Sequence, residues 1–132
     1  MRNIYSSCNE GDINTLKSLY IDAKESIFRL DNEGNTLLHT AVNNNDYEIV
    51  KFLLEKRLSF NIENNQFLLP IDIAIKEENY EIVSLFIQYY SSEFISGIIN
   101  SKPVSEEMRD FITGMIDYND KIYYQDLSFD YY

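Results

Sequence analysis

The sequence predicts an all-α solenoid of about three to four stacked helix–turn–helix units, with degenerate units at both ends. Three observations predict it. Segments recur at a spacing of 33 residues: Asp46-Tyr47-Glu48-Ile49-Val50 returns as Asn79-Tyr80-Glu81-Ile82-Val83. At the same shift Leu38 meets Ile71, Ala41 meets Ala74, Val42 meets Ile75, and Phe52-Leu53-Leu54 meets Leu85-Phe86-Ile87, so apolar pairs with apolar throughout. Within each unit the apolar residues fall at helical spacing on two short segments, neither long enough to be stable alone, so the units must stack.

Taken in order, the first unit is a fainter copy. Gly11-Asp12, Leu16, Leu19 and Tyr20 stand 34 residues before Asn45-Asp46, Val50, Leu53 and Leu54, which fits an N-terminal cap over about residues 1–30. In the second unit, 31–63, Thr36 is placed to cap a helix that buries Leu37, Leu38, Ala41 and Val42. Asn43-Asn44-Asn45-Asp46 forms the turn, because Asn tolerates left-handed backbone geometry. The next helix carries Ile49, Val50, Leu53 and Leu54 as an apolar stripe. The third unit, 64–96, repeats this pattern. Beyond residue 90 the match fades. Ser91–Ile95 with Ile98 and Ile99 predicts one short helix, and Val104, Met108, Phe111, Ile112, Met115 and Ile116 predict an amphipathic helix after Pro103. Together they are expected to close the apolar end of the stack, with a degenerate repeat at 97–116 ending the domain 1–116. Residues 117–132 then read as an acidic, tyrosine-rich tail, either solvated or used as a contact segment.

Composition narrows the function classes. With 45% apolar and 25% charged residues, the 132-residue chain has the makeup of an ordinary globular protein. It contains no apolar run of membrane-spanning length and no signal-peptide pattern at its start, and its single cysteine forms no internal disulfide, so a cytoplasmic location is expected. The net charge of −11 is spread unevenly: zero over 1–30, −3 over 31–63 and −8 over 64–132. Such a charge disfavours direct binding to nucleic acid or an anionic membrane and suits a basic protein partner, or serves solubility alone.

The segment Asp31-Asn32-Glu33-Gly34-Asn35-Thr36-Leu37-Leu38-His39-Thr40-Ala41 resembles the ankyrin repeat's D-x-x-G-x-T-P-L-H-x-A, with Leu37 in place of Pro, and Pro70-Ile71-Asp72-Ile73-Ala74 is the next unit's version of P-L-H-x-A. The resemblance covers about residues 4–90. It departs from the pattern where Phe67 replaces the repeat of Gly34, Leu69 that of Thr36, Arg57 the glycine after the second helix, and Glu78 the inter-helix glycine. The third finger-like turn is therefore expected to be irregular. The resemblance implies a protein-binding module whose partners dock on the fingers and the exposed face of each first helix. Carried over residue by residue, that surface comprises Asn9 and Glu10; Asn32, Glu33 and Asn35; Asn43 and Asn44; and Asn65, Gln66, Leu68, Lys76 and Glu77. The last tract adds Tyr123, Tyr124, Asp126 and Asp130. Asn suits specific polar contacts, although it is abundant throughout the chain; an exposed Leu68 or Phe67 is a candidate apolar anchor.

No catalytic constellation is present, so no enzyme, cofactor or metal is expected. His39, the only histidine, takes from the resemblance the role of tying neighbouring repeats by hydrogen bonds. Cys8 aligns with the small buried positions of the first helices, and burial is favoured over reactivity. Glu77-Glu78 and Glu106-Glu107 lie on helix surfaces or turns without calcium-loop spacing. Three functions remain open: an immunity- or antitoxin-like inhibitor of a basic toxin or enzyme, a viral or effector-type adaptor recruiting a host protein, and a nucleic-acid mimic. A monomer forming a one-to-one heterocomplex is expected in each case.

Overall fold

The computed structural model describes residues 3–22, 30–56 and 61–129, with side chains omitted at 21–22 and 122–129. Eight helices and no strand occur among the described residues: α1 (Ile4–Asn9), α2 (Ile13–Asp22), α3 (Leu37–Asn43), α4 (Tyr47–Glu55), α5 (Pro70–Lys76), α6 (Tyr80–Tyr89), α7 (Ser92–Ser101) and α8 (Glu106–Phe129). They pair as α1/α2, α3/α4 and α5/α6. The odd-numbered helices α1, α3 and α5 form an inner row, and α4, α6 and α8 pack side by side as an outer row.

Every second helix starts from a side chain in the same register. The Asp46 carboxylate accepts the Ile49 amide at 3.2 Å, and the Asn79 side chain accepts that of Ile82 at 3.1 Å. Asp12 does the same for Thr15 at 3.2 Å. Each first helix ends on a left-handed residue: Gly11 (φ 75°), Asn45 (φ 55°) and Glu78 (φ 53°). In all three turns the following amide reaches back five residues, from Asp12 to Ser7, Asp46 to Ala41 and Asn79 to Ala74, at 2.9–3.1 Å. That bond satisfies a carbonyl the helix end would otherwise leave open.

The third finger is regular, contrary to the expectation from Phe67. The Gly34 amide donates to the Asp31 carbonyl at 3.0 Å, and the Phe67 amide to that of Asn64 at 2.9 Å. Asp31 accepts the amides of residues two and four further on, and Asn64 accepts the matching pair. Phe67 simply adopts the left-handed φ of 62° that Gly34 (76°) adopts one unit earlier. The side-chain cap supplied by Asp31 or Asn64 dictates the turn, and the conformational cost falls on Phe67. Leu69 offers no cap, but its amide donates to the Asp72 carboxylate at 2.7 Å.

One continuous core runs the length of the stack. Ile4, Cys8 and Leu16 lead into Leu38, Ala41, Ile49 and Leu53, then Ile71, Ala74, Ile82 and Phe86, and finally Ile95, Met108 and Ile112. Thr36, the predicted cap of α3, accepts the His39 amide at 3.2 Å.

The fourth unit differs. Fourteen residues separate α4 from α5, but only Tyr90 and Ser91 separate α6 from α7, so no finger is present. From the end of α6, α7 crosses to the inner row, where Lys102 forms an ion pair with Asp72 in the first turn of α5. The non-helical segment 102–105 then runs along α5. α8 starts beside the beginning of α6, where Tyr80 and Phe111 meet edge-to-face at 5.0 Å, and reaches Ser92 through Asp120 at 3.3 Å. It is parallel to α6 and continues without a break through residues 116 and 117, where the tail is expected to begin. Likewise α7 spans residues 96 and 97, where a repeat boundary is expected.

Candidate protein-binding face

Asparagines join the units along both edges of the stack. At the finger edge the Asn65 amide donates to the Glu33 carbonyl (2.9 Å), Asn65 Nδ2 to the Asn32 carbonyl (3.2 Å) and Asn64 Nδ2 to Asn35 Oδ1 (2.9 Å). At the turn edge Asn44 Nδ2 donates to the carbonyl and side-chain oxygens of Asn9 (3.0 and 3.2 Å), and Asn79 Nδ2 to Asn45 Oδ1 (3.1 Å). Gly34 is where the fingers touch: a Cβ there would lie 2.6 Å from Asn65 Oδ1.

His39 makes the central tie. Its Nδ1 accepts the Thr36 backbone amide at 3.1 Å, which leaves the proton on Nε2, and Nε2 donates to the Leu68 carbonyl at 2.8 Å. Burial holds its pKa below the usual imidazole range, partly offset by the Leu68 bond and by the carboxylates of Asp31 and Asp72. One unit on, Asp72 stands in this position and accepts from Lys102, 30 residues further along, where Leu68 lies 29 beyond His39. Cys8 is fully buried, with Sγ 3.5 Å from the Leu37 carbonyl. Burial, with a smaller contribution from Asp46, pushes its thiol up to about 12, so it is a packing residue without a usable thiolate.

The residues expected at a partner surface separate into groups. Asn9, Glu10, Asn32, Glu33, Asn43 and Asn44 are exposed. Asn9, Asn32, Glu33, Asn43 and Asn44 meet around one open cleft of about 360 Å³ between the first two units, to which Asp31, Asn35 and Thr40 also contribute. Asn35 lines the same cleft from a more buried position. It is 5% exposed, and its side chain joins Asn64 to Asp31. Asn65, Gln66, Lys76 and Glu77 are exposed, and Leu68 is half-buried. Tyr123, Tyr124 and Asp126 belong to α8, but their side chains lie outside the described residues, as does all of Asp130.

Sequence reasoning missed a second cleft, of about 310 Å³ and mainly apolar, between α5 and the segment 102–105. Leu68, Ile75, Ile98, Pro103 and Val104 line it, with the Asp72–Lys102 pair at one end. Its signal was the missing finger between units three and four, visible as the short spacing from Tyr89 to the next helix. At the adjacent fingertip Phe67 is 77% exposed. On the turn side, Glu77, Glu78, Glu106 and Glu107 are all exposed, and among the described residues no lysine or arginine forms an ion pair with them. Partial desolvation, then the charges of Glu78 and Glu107, raise the Tyr80 phenol above its ordinary range. Among the described residues no group of three or more metal-ligating side chains converges, and no helix is long and apolar enough to cross a membrane.

A family model of ankyrin repeats in three copies matches residues 4–95. Human transient receptor potential cation channel subfamily A member 1 is 31% identical over 87 residues, which is 65% of this chain and 8% of that protein. The crystal structure of the ankyrin repeat protein EF0377 superposes with a TM-score of 0.61 at 28% identity, over 67% of this chain and 44% of that one. A solved complex of the predatory endopeptidase Bd0816 from Bdellovibrio bacteriovorus with the immunity protein Bd3460 gives a TM-score of 0.61 at 24% identity, over 70% and 48%. The chain thus spans less than half the length of each of these proteins.

Proposed function

Because the chain belongs to the ankyrin-repeat family, a family of protein-binding modules, we propose that it is a non-catalytic inhibitor of the immunity or antitoxin kind, which binds a basic toxin or enzyme. One observation carries the choice of a basic partner: residues 64–132 hold eight excess negative charges, and their exposed carboxylates Glu77, Glu78, Glu106 and Glu107 lack ion-pair partners among the described residues. Unpaired surface carboxylates steer a positively charged partner and speed its association. The exposed finger residues Asn32, Glu33, Asn65 and Gln66 supply polar contacts at the other edge of the stack. The endopeptidase–immunity complex shares the fold with this chain, and at 24% identity that likeness extends no further.

The test is capture of partners from source-cell lysate on the immobilised protein, with washes at low and then high salt. A stoichiometric basic protein, released by salt and losing its activity when the chain is added, is the expected outcome. A neutral or acidic assembly that survives high salt with no activity blocked would replace the inhibitor reading with recruitment by an adaptor.

A further inference from the structure

We propose that the cleft between α5 and the segment 102–105 receives one apolar side chain of the partner, carried on a segment rich in lysine or arginine. The inference deepens the reading above and rests on its basic partner.

The cleft exists because the inner row stops early. α1 packs on α3 and α3 on α5, but α7 crosses the finger end of the third unit instead of lying alongside α5. Where a fourth inner helix would stand, only residues 102–105 pass. Ile75, Leu68, Ile98 and Val104 therefore surround about 310 Å³ that the fold itself leaves unfilled. That volume is ample for a leucine or phenylalanine side chain, and apolar walls reward an apolar occupant.

Charge selects what flanks that side chain. Lys102 lines the cleft, but Asp72 offsets its charge. Among the described residues Lys76 is the one other cation lining the cleft, and it adjoins Glu77 and Glu78 in the chain, while Glu106 and Glu107 follow just beyond Val104. With Lys76 counted, these four carboxylates leave the chain segments that flank the turn-side end of the cleft net negative. The finger-side end holds the mutually offset Asp72–Lys102 pair, and at the adjacent fingertip Phe67 is exposed at a backbone angle that favours glycine. Gly34 must lack a side chain because the next finger rests on it, whereas no finger follows Phe67. The aromatic ring stands where a fourth finger would have docked, and it gives the incoming segment a second apolar contact.

The experiment uses the full chain, isotopically labelled, titrated with a blocked pentapeptide that has leucine between pairs of lysines and followed by NMR. Shifts concentrated at Leu68, Ile75, Ile98 and Val104 are expected. Binding should weaken about tenfold when serine replaces leucine, and again in the exposed double variant E77K/E107K. Val104→Arg, checked for folding by circular dichroism, should remove the shifts. No shifts at millimolar peptide, shifts confined to the Asn9–Asn44 cleft, or equal binding of the serine peptide would each overturn the proposal. The two readings separate cleanly. A captured basic protein that binds Val104→Arg and E77K/E107K as tightly as the parent removes this inference and leaves the proposed function. Peptide bound in the cleft with no basic protein captured does the reverse.

Discussion

Phe67 and His39 show how single residues set the balance between stability and display. Phe67 takes a left-handed φ that costs a side-chain-bearing residue about 1 kcal/mol, and its ring, 77% exposed, recovers little by packing. Phe67→Gly should therefore raise unfolding free energy by about 1 kcal/mol in urea titrations; a loss of stability would mean that the ring packs on the fold. His39 behaves oppositely. Its Nδ1 already accepts a backbone amide, so a second proton breaks the Thr36 bond. With the folded pKa lowered, the unfolded chain binds the proton more readily, so stability is full above the unfolded value of about 6.5 and is lost as pH falls through the folded value. Urea midpoints at pH 7.5 and 5.5 should differ in that direction for the parent, and the histidine contribution should vanish in His39→Gln. That variant should also lose about 2–3 kcal/mol, since Leu68 and Thr36 are left without their partner.

At the level of elements, the same hydrogen-bond scheme recurs although its residues change. Gly11, Asn45 and Glu78 end three helices in one conformation, and Asp12, Asp46 and Asn79 start the next three. The exchange of His39 for Asp72 reverses the polarity of the tie: a histidine donates to a backbone carbonyl in one unit, and a carboxylate accepts from Lys102 in the next. The Asp72 side chain is 5% exposed and that of Lys102 33%. Lys102→Ala should therefore destabilise by about 1–3 kcal/mol, less than for a fully buried pair because solvent screens the lysine. Hydrogen exchange should locate the loss in α7 and the segment after it, with α3 and α4 protected as in the parent. Uniform deprotection would show instead that the last unit unfolds together with the rest.

Across the whole molecule, the charge of −11 is concentrated toward the C-terminal end of the stack, so the fold works against its own repulsion. Raising sodium chloride from 10 to 500 mM should raise the thermal midpoint, because the Debye length falls from about 30 Å to below 10 Å. A midpoint that falls or stays level would indicate that favourable ion pairs outweigh the repulsion. Stacking also explains why the two clefts differ. The polar one lies where two intact units meet along asparagine ladders, whereas the apolar one lies where the repeat plan ends and the core side of α5 is only partly covered.

The repeat and its helices were legible in the sequence because they follow from local rules: apolar spacing, turn asparagines and side-chain caps operate within a few residues and recur at a fixed interval. Family membership and the role of His39 were legible for the same reason. The tertiary structure alone decided which polar residues are available. Asn32 and Asn35 look alike in the sequence, yet one is exposed and the other is buried between fingers, because burial depends on what the neighbouring unit places opposite. It also decided that the third finger holds its shape despite Phe67, since Asn64 supplies the cap that Asp31 supplies earlier. The cleft beside α5 was beyond local rules altogether: it arises from an absent helix, and only the path of the chain from α7 to α8 shows what was left uncovered.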